Sequence, residues 1–323
     1  MKGALIISLD FELYWGMRHK YKLDDYKDNL LAIRTIIPSL LKLFNEYNIH
    51  ATWATVGLVF FENKEDLIRG LPAVRPAYLD QKLSPYRSLN SIDLNEKEDP
   101  FHYGNSLIKL IASYPNQEIA THTFSHYCCL EPGQDEEAFR YDLKSAIEVA
   151  KKNNIDIKSI VFPYNQINNQ YLPVCKEIGI KSYRGNEYSW LYKGRGQENE
   201  SFIRRAFRMA DVYFNISGHN TYSLNNVLRD FPVNIPSSRF LRPYSPSLKF
   251  LEPLRLHRIL SDLDYAAKNN MIYHLWWHPR NFGYGDEIEK NMLFLKKILN
   301  HFSDLQKEYG MESLNMQELT NKI

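Results

Sequence analysis

Short apolar runs alternate with stretches of helical period from one end of this chain to the other, and that alternation restricts its fold more than any other feature. ALIISL at 4–9, ATWATVG at 51–57, KSIVF at 158–162 and MIYHLWWH at 271–278 are nearly continuous in apolar residues, as strands covered on both faces must be. Between them lie amphipathic segments. NLLAIRTIIPSLLKLFNEY is expected as a helix bent at Pro38, and a helix over 136–152 lines up Phe139, Leu143, Ile147 and Ala150. Further helices are predicted over 254–269 and 286–309, the latter with Met292, Leu295, Leu299 and Phe302 on one face. From 186 to 252 the pattern weakens, and RRAFRM is read there as a short strand. Residues 62–103, rich in Pro, Asp, Asn and Lys, are expected to form a long insertion after the second strand. The whole chain, 1–323, thus predicts an α/β domain with a parallel sheet, open or closed into a barrel.

Composition removes several classes of function. A net charge of +2 with no basic stripe argues against nucleic acid as a partner. No segment approaches 18 apolar residues, so membrane insertion is not expected. The apolar start is too short for a secretory segment, and Cys128, Cys129 and Cys175 make a poor disulfide framework, so the protein is expected in the cytoplasm. The 22 tyrosines suit carbohydrate surfaces, where ring stacking and a hydroxyl are both useful.

In parallel sheets, ligands gather at the C-terminal ends of strands. The first strand delivers Asp10 and Glu12, which alternation places on one side. They could meet arginines, cap the next loop, or face a shared cavity. His122 and His126 stand four apart, the spacing that puts two imidazoles on one side of a helical turn. With Glu12 they would compose a two-histidine, one-carboxylate set suited to a catalytic divalent ion. VFPYNQIN leaves Tyr164 and Asn165 at the rim of another strand, an ordinary exit or a substrate contact. The late strand ends at His278, favoured over His274 as a proton donor, with Trp276, Trp277 and Phe282 as an apolar wall.

In their order LDFE, HTFSH, VFPY and WWH resemble the motifs of the polysaccharide deacetylase family, the NodB homology domain of carbohydrate esterase family 4. The resemblance implies a distorted (β/α)7 barrel and metal-dependent removal of an N-acetyl group. It makes Asp10 the general base, Glu12, His122 and His126 the metal ligands, and His278 the general acid. The ion implied is zinc, with Co, Mn, Ni and Fe as the alternatives. Several positions depart from the family pattern. The usual adjacent acid pair is here Asp10-Phe11-Glu12, and Val161 replaces the arginine of the third motif, leaving Arg184 or Arg208 to orient the base. Asp211 is the best match for the fourth-motif acid. Tyr164, Asn165, Arg184, Asp211 and Trp277 are the expected substrate contacts, and the substrate an acetylated sugar or glycan precursor of surface polysaccharide. A non-sugar amide or cyclic ureide, or glycan binding without turnover, are the competing readings.

Overall fold

The computed structural model describes residues 2–192, 202–227 and 231–322. The first half runs β1 (Ala4–Phe11), α1 (Lys27–Glu46), β2 (Ala51–Thr55), α2 (Lys64–Arg69), α3 (Asn105–Ser113), β3 (Gln117–Thr121), α4 (Glu136–Lys152), β4 (Ser159–Ile160), α5 (Leu172–Ile178) and β5 (Ser182–Gly185). The second runs α6 (Phe202–Asp211), β6 (Tyr222–Ser223), α7 (Leu224–Val227), β7 (Val233–Pro236), β8 (Arg239–Phe240), α8 (Glu252–Lys268), β9 (Met271–Trp277), α9 (Asp286–Tyr309), β10 (Glu312–Leu314) and α10 (Met316–Thr320).

Strands β9, β1, β2, β3, β4, β5 and β7 lie side by side and parallel. The chain then crosses a gap. Ser237 N–H donates to Gly185 O at the end of β5, Ser238 N–H donates to His274 O on β9, and β8 continues parallel to β9. β7 and β8 therefore share one stave, and the sheet becomes a nearly closed barrel. Alternation sorts the side chains of β1. Leu5, Ile7, Leu9 and Phe11 join the large apolar cluster with Leu30, Ile33, Ile37, Leu40 and Phe44 of α1. Ala4 and Ile6 belong to a second, inner cluster, and Ser8 and Asp10 follow with the same parity.

Helix α1 continues through Pro38 as one element. RRAFRM is not a strand but part of α6, because Ile203, Phe207 and Ala210 recur at helical spacing through its apparent alternation. The 62–103 insertion holds α2 and several 3-10 turns, and it packs onto the loop that leaves β1. Tyr14 N–H donates to Phe101 O, Trp15 Nε1–H to His102 O at 2.8 Å, and Arg18 to Leu83 O. It braces that loop. Among the described residues no helix is long and apolar enough to cross a membrane.

Candidate active site

The site is assembled at the C-terminal ends of β1, β3, β5 and β9. Asp10 lies within β1 and faces inward, whereas Glu12 follows the strand, at the entrance to the 3-10 turn Leu13–Gly16. Both carboxylates are buried.

His122 is the first residue beyond β3, and its N–H still donates to Thr55 O on β2. Its Nδ1–H donates to Val161 O at 2.8 Å, which leaves the Nε2 lone pair aimed inward. His126 does not share a helical turn with it. The chain instead makes a tight loop in which Thr123 and His126 both take positive φ, 62° and 59°. That backbone is held from beneath by Asp142 of α4, which accepts from Phe124 N–H at 2.7 Å, from Ser125 N–H at 3.1 Å and from the Ser125 hydroxyl. Burial pushes the Asp142 carboxyl up to about 7 against those bonds. Tyr127 N–H closes the loop on Thr123 Oγ1 at 2.7 Å.

The loop brings His126 Nε2 to 2.9 Å and His122 Nε2 to 3.6 Å from Glu12 Oε2. All three candidate ligand atoms lie within 4.8 Å of one another. A tetrahedral ion with bonds near 2.0–2.1 Å separates its ligand atoms by about 3.3 Å, so the three groups fit a zinc-sized cation. A further observation agrees with that fit: burial drives the His126 imidazole down to about 3, keeping it in the neutral form a metal requires. Gly16 lies behind Glu12, where any added Cβ would collide with the carboxylate.

The other side of the site holds the candidate proton-transfer groups. Arg184, the residue of β5 facing inward, grips Asp10 with two bonds of 2.7 Å, NH1 to Oδ1 and NH2 to Oδ2. Burial alone would raise the Asp10 carboxyl; Arg184, with His122 and His278 adding, outweighs it and leaves Asp10 below the usual carboxylate range. Arg184 NH2 also donates to Asn165 Oδ1 at 3.0 Å, and its guanidinium lies 4.1 Å from the centre of the Trp276 ring. Beneath it runs a directed chain. Arg184 NH1 donates to Ser8 Oγ at 3.1 Å, the Ser8 hydroxyl donates to His274 Nε2 at 2.8 Å, and His274 Nδ1–H points to Ile235 O at 3.3 Å.

His278 completes the site. Its Nε2 is 3.5 Å from Glu12 Oε1 and 3.9 Å from Asp10 Oδ2. Asn281 Oδ1 accepts from both His278 N–H and Nδ1–H at 3.1 Å, which fixes the neutral ring with its Nε2 lone pair toward the carboxylates. Burial and then Arg280 drive this imidazole down to about 4. Arg280 itself bonds Glu12 Oε1, leaving Oε2 for the imidazoles. Burial opposes the Glu12 charge, yet Arg280 and the three histidines hold it well below the usual range.

The family model described as polysaccharide deacetylase matches residues 23–183, a stretch that includes the whole histidine loop. The chain belongs to the polysaccharide deacetylase family. This is a family of hydrolases acting on amide bonds, whose members generally use a divalent metal. Similar solved structures include a putative polysaccharide deacetylase from Mycobacterium smegmatis, 12% identical, covering 100% of this chain and 91% of that one with a TM-score of 0.59. A probable polysaccharide deacetylase from Pseudomonas aeruginosa PAO1 is 11% identical, covering 98% and 89% with a TM-score of 0.57. Puue allantoinase is 10% identical over the same shares, also at 0.57. At these identities the likeness is one of fold: a deacetylase-type (β/α) barrel. No curated protein matches the sequence.

The polysaccharide deacetylase site thus gathers Asp10, Glu12, His122, His126, Arg184, Asn165 and His278. Of the two arginines proposed for orienting Asp10, it is Arg184 that reaches it. Tyr164 lies edge-on to His126 with ring centres 4.8 Å apart, but its hydroxyl is taken by Gly16 O at 2.9 Å and by His19. Two expected members are not brought in. Trp277 has the outward parity of Tyr273 and Leu275, and it is sealed against Phe44 and Phe282. Asp211 is buried at the end of α6, where Tyr192, Ser217 and Arg239 take its carboxylate. Arg280 and Asn281 are the members that the sequence reading does not reach, and Trp276, expected as part of an apolar wall, lies against Arg184 in the site. Parity along β9 reveals Trp276, since it shares the inward face with His274 and His278.

Proposed function

We propose that the chain is a metal-dependent deacetylase that removes the acetyl group from the nitrogen of a sugar, a cytoplasmic precursor of surface polysaccharide. The observation that carries this reading is the convergence of Glu12, His122 and His126 beside Arg184-bound Asp10 and His278. Glu12, His122 and His126 would hold a divalent ion, with zinc preferred over Co, Mn, Ni or Fe. Such an ion polarises an acyl carbonyl and acidifies a water. Asp10 Oδ2, the carboxylate oxygen nearer His278, takes the proton from the water that attacks the amide carbon. Arg184 fixes the direction of that carboxylate and keeps it a weak base, sufficient only for an acidified water. His278, neutral with Nε2 facing both carboxylates, receives a proton there and passes it to the nitrogen as the C–N bond breaks. Acetate and a free amine result. Trp276 and Asn165, both in contact with Arg184, line this side of the site beside Asp10.

The test is acetate release from nucleotide-linked and oligosaccharide N-acetyl sugars, before and after chelation, with a cyclic ureide assayed in parallel. Acetate release that chelation removes and zinc restores is expected. Ureide cleavage without acetate release refutes the reading in favour of a different amidohydrolase.

A further inference from the structure

Arg184 reaches Asp10 from across the barrel, because it stands on β5 while Asp10 stands on β1, with β2, β3 and β4 between them. A guanidinium at the end of a long side chain has many torsions to settle, and its bonds to Asp10 fix only one edge of it. Asn165 Oδ1 and the Trp276 ring meet it from a loop and from β9. The remaining contact is NH1 to Ser8 Oγ at 3.1 Å. A serine hydroxyl can donate or accept, so by itself Ser8 would not fix that contact. His274 settles the choice. Ile235 O can only accept, which puts the imidazole proton on Nδ1, 3.3 Å away. Burial drives His274 down to about 3, so the ring holds no second proton and Nε2 keeps its lone pair. The Ser8 hydroxyl therefore donates to Nε2 at 2.8 Å, and its oxygen is left to accept from Arg184. Ser8, His274 and Arg184 are all buried, so solvent does not compete for these bonds.

We infer that Ser8 and His274 are positioning residues for the hydrolysis: through a hydrogen-bond chain of fixed direction they hold the Arg184 guanidinium in the plane from which it aims Asp10. The inference rests on the proposed function, in which Asp10 takes the proton of the attacking water. It adds a polarity requirement to that reading. The group at position 274 must accept from Ser8 and donate toward Ile235 O, because a group that reversed or broke the chain would free the Ser8 proton to face Arg184 and set a donor against a donor. Both residues act on Arg184 rather than on Glu12, His122 or His126, so zinc binding should not register their loss. A role in packing alone would lower the stability of the fold and leave the turnover of the folded protein as it was. Positioning instead lowers turnover in step with chain polarity, since a catalytic group displaced by about 1 Å can cost about 100-fold in rate.

The test compares His274→Gln with His274→Leu in the full chain. Glutamine can accept from Ser8 through Oε1 and donate toward Ile235 O through Nε2, whereas leucine supplies neither group. Acetate release by His274→Leu should show kcat about 10–100-fold below wild type, with KM and zinc affinity nearly unchanged, and His274→Gln should recover most of that loss. Ser8→Ala removes the acceptor for NH1 and should match His274→Leu, standing in for it if the leucine variant does not fold. Wild-type kcat in Ser8→Ala overturns the inference, and so does a glutamine variant no better than the leucine one. Two readouts need no turnover. Nitrogen NMR of the wild-type protein should find the His274 proton on Nδ1, and a crystal structure of Ser8→Ala should show the guanidinium turned away from at least one Asp10 oxygen. A proton on Nε2, or an unchanged Arg184–Asp10 pair in Ser8→Ala, overturns the inference. If the wild-type protein releases no acetate from any N-acetyl sugar, the proposed function fails by itself, and these two readouts still decide whether Ser8 and His274 hold Arg184.

Discussion

Gly16→Ala isolates the role of Glu12 without touching a candidate ligand. A Cβ at residue 16 would stand 2.5 Å from Glu12 Oε1 and closer still to its Cδ and Oε2. Ordinary contact requires about 3.5 Å, so the carboxylate must withdraw by about 1 Å or more. It can do so, being the end of a flexible side chain, and the fold should survive. The metal site should not, because ligand positions are tolerated to only about 0.2 Å. Loss of one of three protein ligands should weaken zinc binding at least about 100-fold. At a zinc concentration of about 100 times the wild-type Kd, the metal stabilises the wild-type fold by about 2.7 kcal/mol, and at the same concentration it should stabilise the variant by only about 0.4 kcal/mol. Titration calorimetry gives the affinity, and thermal melts with and without zinc give the linkage. Without metal the variant should already melt lower, because the withdrawn carboxylate loses part of its pairing with Arg280, so the zinc-dependent increment is read against each protein's own metal-free melt. If Gly16→Ala binds zinc as tightly as wild type, Glu12 is not a ligand in this arrangement and the metal assignment fails.

Other perturbations probe the supports of the site. Asp142→Asn places an amide donor against a Ser125 N–H or hydroxyl, which should cost about 1–3 kcal/mol in denaturant unfolding and weaken zinc binding about 10–100-fold; unchanged zinc affinity would separate Asp142 from the histidine loop. Arg184→Gln leaves Asp10 buried without its cation, so stability should fall by about 3–5 kcal/mol, acetate release by at least about 100-fold, and zinc binding little; the added change Asp10→Asn should recover much of the stability, and its failure to do so would deny the pairing. Asn281→Leu frees the His278 ring and should lower turnover with little change in KM or zinc affinity, whereas a pure rise in KM would place Asn281 on substrate instead. His274, driven down to about 3 chiefly by burial, binds no proton in the fold over a range where the unfolded chain binds one. Its depressed pKa therefore destabilises the protein as pH falls from 6.5 toward 3, and His274→Gln should reduce that slope by about 1.4 kcal/mol per pH unit; an unchanged slope would mean the ring titrates in place.

What the sequence discloses follows the reach of each signal. The barrel is legible because its strands are short apolar runs whose alternation with helices repeats, and LDFE and HTFSH point to the candidate ligand set because Glu12, His122 and His126 fall at strand ends. The loop geometry is not legible in that way. A four-residue spacing reads as a helical turn, but the positive φ of Thr123 and His126 is imposed by Asp142, a residue 16 positions beyond His126 and on another element. Trp277 faces the outer cluster with Tyr273 and Leu275 because parity along β9, a local rule, outweighs its place next to His278 in WWH. Asp211 and α6 are illegible for a different reason: Arg204 and Asp211 are buried while Ile203 and Phe207 are exposed, which reverses the rule that apolar residues face the core.

Charge pairing explains why the site can be built at all before an ion arrives. Two carboxylates buried at the end of one strand would be costly if each lacked a cation. Asp10 has Arg184 and Glu12 has Arg280, so each acid is neutralised by a separate arginine from a separate part of the barrel. The two arginines leave different atoms free. Arg184 holds both oxygens of Asp10 and fixes their direction, while Arg280 takes one oxygen of Glu12 and leaves Oε2 toward the histidines. The same residue type thus sets two otherwise equivalent acids apart, in keeping with the base and ligand roles proposed for them, and it does so by how many carboxylate oxygens it covers.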